Sequence, residues 1–249
     1  MPKFFVNQEQ VIDNKIKIIG QDVNHIKNVL RLDIGKEIYV CIKETSENFL
    51  CEIKESNNNF ILCTIMNKLL ESTETKTYIH IFQGLPKADK LEFIVEKCTE
   101  IGVKEITPVC MNRTVVKLNE KDKKKKLERW RKIAEVAAKQ SGRDEILKVN
   151  DIVNFKNIFK NFKEYDIVLI AYEKEKVNTL KSSLNKILKN KKNIKIAVLI
   201  GPEGGIDDLE INLLKEIINV KIVTLGKRIL RTETAPLVIS SNILYELEE

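Results

Sequence analysis

The chain has 249 residues, 43% of them hydrophobic, and a formal net charge of +7 from 43 Lys and Arg against 36 Asp and Glu. That length can bury a good core in one or two domains, and the positive balance permits a polyanionic partner without requiring one. No apolar run reaches the roughly 18 residues of a membrane span, and MPKFFVNQEQ has no signal-peptide core. The five cysteines sit singly, with no C-x-x-C, and the two histidines, His25 and His80, are far apart; buried thiols in a reducing cytoplasm are expected, with no disulfide framework and no metal site.

Residues 1–70 pattern as short strands joined by short turns. Lys3–Val6 and Ile16–Ile19 are strand candidates, and Gly20–Leu32 spaces Val23, Ile26, Val29 and Leu30 along one face of a helix. Three strands follow, Glu37–Lys43, Phe49–Lys54 and Phe60–Asn67, separated by KETSEN and ESNNN, with Ile38, Val40 and Ile42 in alternation. A small β-barrel is expected. Residues 71–77, within NKLLESTETKT, are a linker, and over residues 78–249 strands alternate with helices, as in an α/β domain.

Tyr78–Gly84 opens that domain and Leu85-Pro86-Lys87 closes the strand. Asp89 is placed to cap a helix, Lys90–Ile101, with Leu91, Ile94, Val95, Cys98 and Ile101 inward and Gly102 as its C′ glycine. Lys104–Val109 is the next strand. After Arg113, KDKKKKLERWRKIAEVAAKQSGRDEI carries Leu127, Trp130, Ile133, Ala134 and Ala137 on one helical face. The run Lys123 to Lys126 falls at the helix start, where it opposes the helix dipole, and reads most simply as a solvated, partly frayed turn. Gln140-Ser141-Gly142-Arg143 reads as a C-cap with an ordinary arginine. Ile152–Tyr165 is expected to be helical and peripheral, Asp166–Ala171 a buried strand ending in Ala171-Tyr172-Glu173, Val177–Asn190 a helix and Lys191–Asn193 a charged turn.

The most informative stretch comes last. An apolar strand, Ile194–Ile200, stops in Gly201-Pro202-Glu203-Gly204-Gly205. Pro202 fixes its own φ and pushes Gly201 toward extended geometry. Gly204 and Gly205 can take positive φ and let a ligand approach bare backbone. Asp207 or Asp208 caps a helix with apolar positions Leu209, Leu213, Leu214 and Ile217. A second apolar strand, Lys221–Leu225, ends in the loop Gly226–Thr234. The last helix, Thr234–Leu247, is rich in apolar residues, with Leu237, Val238, Ile239, Ile243, Leu244 and Leu247, enough to pack one face internally and another against a second subunit. Two glycine-bearing loops at strand ends imply one crevice at the edge of an α/β sheet. Neither a P-loop nor a Gly-x-Gly-x-x-Gly dinucleotide fingerprint is present.

GPEGG, a helix and then LGKRILRTETAP together resemble the signature of the RsmE family. These SPOUT-class methyltransferases use S-adenosylmethionine to methylate N3 of a uridine in small-subunit (16S) ribosomal RNA. QGLPKADKLEFIVEKCTEIGV and HIKNVLRLDIGKEIYV extend the likeness, with Ala88 where glycine is common and Pro2-Lys3 where the family usually has an arginine. The resemblance implies a SPOUT-type trefoil-knotted methyltransferase domain over residues 78–249, a PUA-like RNA-binding β-barrel over residues 1–70, a homodimer, and 16S ribosomal RNA or the assembled small subunit as partner.

It implies cofactor contact from Ala171, Tyr172, Leu199, Ile200, Gly201, Glu203, Gly204, Leu225, Gly226, Ile229, Leu230 and Thr234. RNA contact would come from Lys3, Arg31, Lys87, Lys90, Arg113, Gln140 and Arg143, with the lysine run either RNA-facing or merely solvated. Arg31 reads equally well as a solvated cation at a helix end. Uridine N3 carries a proton at neutral pH, and an arginine beside O2 or O4 would favour its anion. Arg231 is the first candidate and Arg143 the second, an internal pair with Glu233 being the competing role for Arg231. Glu203 or Glu233 would act as base only if held near the acceptor. The alternatives are a ribose 2′-O methyltransferase of the same superfamily and a non-catalytic RNA-binding assembly factor. The methylated atom separates the two enzymes, and cofactor binding separates enzyme from factor.

Overall fold

The computed structural model describes residues 1–185 and 193–247, and the chain divides into two compact units: residues 1–74 with 138–146, and residues 75–137 with 147–249. In the first unit β1 (Lys3–Val6), β2 (Val11–Ile12), β3 (Lys15–Ile19), β4 (Glu37–Ile42), β5 (Asn48–Ser56) and β6 (Phe60–Leu69) form a sheet in the order β1-β4-β5-β6-β3-β2. β1 runs parallel to β4, and the other ladders are antiparallel. Alternation sends Phe4 and Val6 of β1, Ile38 and Val40 of β4, and Ile16 and Ile18 of β3 into one cluster. Strands from both flanks of the sheet meet there, so the sheet curls around its own core as a small barrel does. Two register shifts in the β5–β6 ladder add to the bend.

The helix expected over Gly20–Leu32 is instead α1 (Gln21–Asn24) running into a π turn, His25–Val29. The wider turn rotates Val29 outward, to 63% exposure. Arg31 then takes φ 52° and remains exposed.

Residues 138–146, assigned from sequence to the second domain, belong to the first unit through buried charges. Lys3 Nζ donates to Gly142 O at 2.8 Å and pairs with Asp144 at 2.5 Å. The Arg143 guanidinium forks onto Glu74, at 3.1 Å from Nε to Oε1 and 2.6 Å from Nη2 to Oε2. Glu74 Oε1 also accepts the N–H groups of Asp144 and Glu145, while Ser72 and Thr73 donate to the other Asp144 oxygen. Burial works against the Asp144 carboxylate, but Lys3 and the Thr73 N–H outweigh it and hold its pKa below the usual range. Buried ion pairs persist only with such saturation of their remaining hydrogen-bond capacity. Lys3 and Arg143, expected at RNA or in the catalytic cleft, are thus engaged inside this unit.

The second unit contains β7 (Tyr78–Gly84), α2 (Lys90–Ile101), β8 (Glu105–Cys110), α3 (Glu120–Ser141), β9 (Lys148–Val149), β10 (Val153–Asn154), α4 (Phe155–Ile158), β11 (Ile167–Ala171), α5 (Leu180–Asn185), β12 (Lys195–Ile200), α6 (Asp208–Lys215), β13 (Val220–Val223) and α7 (Ala235–Leu247), the last turn of α3 excepted. Its parallel sheet runs β10-β8-β7-β12-β11-β13, with β9 beside β8. Ile167 to Ile170 and Ile196 to Leu199 are all at 0% exposure, the mark of strands covered on both faces.

Two expectations change here. Ile152–Tyr165 is neither one helix nor peripheral: it is β10, the single turn α4 and a 3₁₀ turn at Phe162–Glu164, with Phe155, Ile158 and Phe162 in the core. In α6, Asp207 accepts the Leu209 N–H and Glu210 reaches back to the Asp207 N–H, a capping box. That box turns Glu210, Ile211 and Leu214 inward and leaves Leu209 and Leu213 at 70% and 53% exposure. Of the helix expected over Val177–Asn190, α5 is present; its residues 186–190, and residues 191–192 of the charged turn, lie outside the described residues.

β7 also carries His80, 3% exposed, with Nδ1 2.5 Å from Tyr165 Oη and Nε2 2.7 Å from Thr107 Oγ1. Burial pushes the imidazole down to about 4 although Glu105 pulls the other way. The unfolded chain takes up this proton near pH 6.5 and the folded chain resists it. Stability is therefore expected to fall as pH drops from about 6.5 toward 4, by up to about 1.4 kcal/mol per pH unit. Thermal unfolding midpoints measured across that window should flatten in His80→Gln; an unaltered slope would clear His80 as the cause.

Candidate active site

The C-terminal ends of β11, β12 and β13 open on a cavity of about 450 Å³. Its wall is Ala171, Tyr172 and Glu173 after β11, residues 200–206 after β12, and residues 224–232 with Ala235 after β13, joined by Lys90 from α2.

Local sterics shape the first loop. β7 ends at Gly84, where a Cβ would lie 2.5 Å from Pro202 N, so the β12 loop packs directly on bare backbone. Gly205 takes φ 72° and donates its N–H to Pro202 O at 2.9 Å, closing a tight turn. Arg113 braces this loop from behind, with Nη1 3.1 Å from Gly204 O and Nε 3.4 Å from Asp207 Oδ2.

Thr232 ties the second loop to the first. Its buried Oγ1 accepts from Gln83 Nε2 at 2.9 Å and donates to Gly201 O at 2.7 Å. Lys90 adds an electrostatic tie, its Nζ 3.1 Å from Glu203 Oε1 and 3.2 Å from Glu233 Oε2. Burial disfavours the Glu203 carboxylate, but backbone N–H groups, including that of Lys87 at 3.0 Å, and the Lys90 ammonium hold its pKa below the usual range. Glu203 and, more weakly, Glu233 in turn raise the Lys90 pKa. Arg231 stands apart at 83% exposure, 4.0 Å from Glu233 Oε1, well beyond a hydrogen bond.

Ten residues expected at the cofactor line this cavity: Ala171, Tyr172, Ile200, Gly201, Glu203, Gly204, Leu225, Gly226, Ile229 and Leu230. Leu199 does not; it is a core residue of β12 at 0% exposure. Nor does Thr234, which precedes α7 with its N–H on Arg231 O. Lys90 and Arg113, expected at RNA, hold the loops. The Lys87 side chain is exposed, and Gln140 is exposed at the end of α3. Thr232 is a residue sequence reasoning missed, and Glu173, named only as part of the strand end, was not assigned to the cofactor. No spacing announces Thr232, a lone hydroxyl inside a loop; Glu173 carried a signal, since it directly follows the Ala171-Tyr172 strand end.

The fold and the loop pair define an RNA methyltransferase domain accompanied by a PUA domain. The family model for the RNA methyltransferase domain matches residues 73–244, and that for the RNA methyltransferase PUA domain matches residues 18–66. Ribosomal RNA small subunit methyltransferase E of Bacillus subtilis is 36% identical over 252 residues, covering 100% of this chain and 98% of that protein. The Mesomycoplasma hyopneumoniae protein of the same name is 34% identical, over 94% of this chain and 95% of its own. The chain therefore belongs to the ribosomal RNA small subunit methyltransferase E family, RsmE. The crystal structure of the Neisseria gonorrhoeae member bound to S-adenosylmethionine matches with a TM-score of 0.86 at 25% identity, over 99% of this chain and 98% of that one.

Proposed function

We propose that this chain is an S-adenosylmethionine-dependent methyltransferase acting on N3 of a uridine in small-subunit ribosomal RNA. The cavity closed by the two glycine loops carries the proposal. Its volume of about 450 Å³ lies in the range of cofactor sites. A Cβ on Gly226 would meet no protein atom within 4 Å, so bare backbone is open to a ligand there. Ile229, 81% exposed, and Leu225 offer apolar cover, while Glu173 and Glu203 place carboxylates beside a cationic ligand. S-adenosylmethionine bound here supplies a sulfonium methyl group open to in-line displacement.

The chain's own residues do the rest. The loops hold donor and acceptor in line, a contribution of about 7–11 kcal/mol when alignment is good. Arg231 is a cation on the cavity wall without a tight counterion among the described residues, suited to stabilising the uridine anion at O2 or O4. Glu203, held ionised below its ordinary range and paired with Lys90, is a weak base for this proton.

Three further features support the family reading. The segment after β13 returns to place Thr232 between Gln83 of β7 and Gly201 after β12, which brings the last loop back against the first. α7 leaves Tyr245 at 72% exposure and Leu237 and Val238 half-buried, a face suited to a second copy in a homodimer. The first unit leaves Arg31 exposed, accessible to an RNA phosphate. A ribosomal RNA substrate places the enzyme in the cytoplasm; no helix among the described residues is long and apolar enough to cross a membrane.

Small subunits from cells lacking this protein test the proposal. Incubated with the protein and S-adenosylmethionine, they are expected to gain one N3-methyluridine. The methyl removes the pairing donor, so reverse transcriptase should halt there. Product analysis finding only 2′-O-methylation would overturn the N3 assignment. Cofactor-free behaviour in calorimetry, with RNA binding retained, would favour an assembly factor.

A further inference from the structure

The lysine run at the start of α3 takes no part in the site described above, yet the loop that leads into it does. After β8, residues 111–119 face two ways. Arg113 braces Gly204 of the cofactor cavity. Val116, Lys117 and Leu118 instead line a second cavity of about 290 Å³, together with Leu85, Met111 and Lys123. Leu85 follows β7 and Met111 follows β8, so this slot opens at the same C-terminal edge of the sheet as the cofactor cavity. Apolar side chains form most of its wall, and Lys117 and Lys123 supply its charge.

Charge accumulates beside the slot. Residues 117–126 hold six lysines against Glu120 and Asp122 alone. Lys123 is occupied by Glu120 at 2.7 Å, and Lys126 lies 6.0 Å from the Trp130 ring centre. Lys117, Lys121, Lys124 and Lys125 are exposed, and none of their side chains has a hydrogen-bond or ion-pair partner among the described residues. Such a run in the first turns of a helix opposes its dipole. Packing does not offset this, because the four side chains extend into solvent. A polyanion laid across them would.

We propose that this slot and the lysines beside it form a track for single-stranded RNA flanking the target uridine, the phosphates meeting Lys117, Lys121, Lys124 and Lys125 and an unstacked base entering the slot. Single strands are bound by a basic line along the backbone with bases stacked on side chains, and an extruded base is also held between apolar ones. The inference rests on ribosomal RNA being the substrate and locates where the strand beside the target runs.

Oligouridine binding tests the track separately from methylation. Replacing Lys121, Lys124 and Lys125 together by glutamine should weaken oligouridine binding by about 10-fold or more at physiological salt. The slope of log affinity against log salt should fall by about 2, near 0.7 per lost phosphate contact. S-adenosylmethionine affinity, read by calorimetry, should be unchanged, and the triple arginine variant should restore the slope. Val116→Trp, which fills the slot, should weaken binding about 3- to 10-fold at an unchanged slope. Wild-type affinity and slope in the folded glutamine variant would overturn the track, and wild-type affinity in Val116→Trp would overturn the slot. If the track variants behave as expected but the wild-type protein methylates no ribosomal RNA, the parent assignment fails on its own.

Discussion

Arg231→Ala is expected to slow methyl transfer roughly 100- to 1000-fold, the scale of losing one preorganised donor to a developing anion. S-adenosylmethionine affinity should stay within about twofold, because the side chain lies on the cavity wall and points outward at 83% exposure. The carboxylate that might have cancelled its charge is turned elsewhere: Glu233 Oε2 is 3.2 Å from Lys90 Nζ, while Glu233 Oε1 is 4.0 Å from the guanidinium. Arg231→Lys keeps the charge and loses the planar fork, so only partial recovery is expected. The pH profile separates this role from a structural one. If Arg231 stabilises the uridine anion, the alanine variant should regain rate as pH rises and the anion forms unaided. A merely loosened loop would lower the rate at every pH alike. A wild-type rate in Arg231→Ala would move the role to a carboxylate or to a cation from a second copy.

The parts of the site that were legible in the sequence are those whose physics is local. Pro202 and the glycines around it carry steric meaning residue by residue, and an apolar strand running into them marks a loop at a sheet edge. Pairings across long separations carry no such mark. Arg143 was expected in the cleft; its partner Glu74 lies 69 residues away, and the Lys3–Asp144 pair spans 141. Nothing in the periodicity of either segment names those partners. Spacing also misled where two geometries share it. Phe155, Ile158, Phe159 and Phe162 recur as on a helix, yet they serve one α turn and one 3₁₀ turn whose rings meet edge to face. In α6 the capping box, a local signal, marks the inward face, and of the four expected apolar positions Leu214 and Ile217 pack on the core while Leu209 and Leu213 face solvent.

The glycines of the two loops should separate into two classes when replaced, although the sequence made Gly201 and Gly204 look alike as backbone open to the cofactor. A Cβ on Gly201 would lie 2.9 Å from both the Gly205 carbonyl carbon and Ile206 Cγ1, so this glycine is required by the loop's own packing. Gly201→Ala is expected to lower the thermal midpoint, with about 1–3 kcal/mol lost as for other overpacked sites. On Gly204 a Cβ would meet Arg113 Cβ at 3.1 Å, and valine there should loosen the brace behind the loop. Gly226 differs from both. It takes φ 122°, a Cβ would touch nothing within 4 Å, and its turn is held by Thr224 Oγ1 at 3.2 and 3.1 Å. Gly226→Val must abandon that backbone conformation, a strain of about 1–3 kcal/mol. The loop can relieve it by moving, because Gly226 is exposed and little of the core depends on it. Movement displaces the cavity wall, so the loss should appear in S-adenosylmethionine affinity, roughly 10- to 100-fold by calorimetry, with the thermal midpoint of the ligand-free protein nearly unchanged. Wild-type affinity in folded Gly226→Val would show that the loop after β13 does not form the cofactor wall.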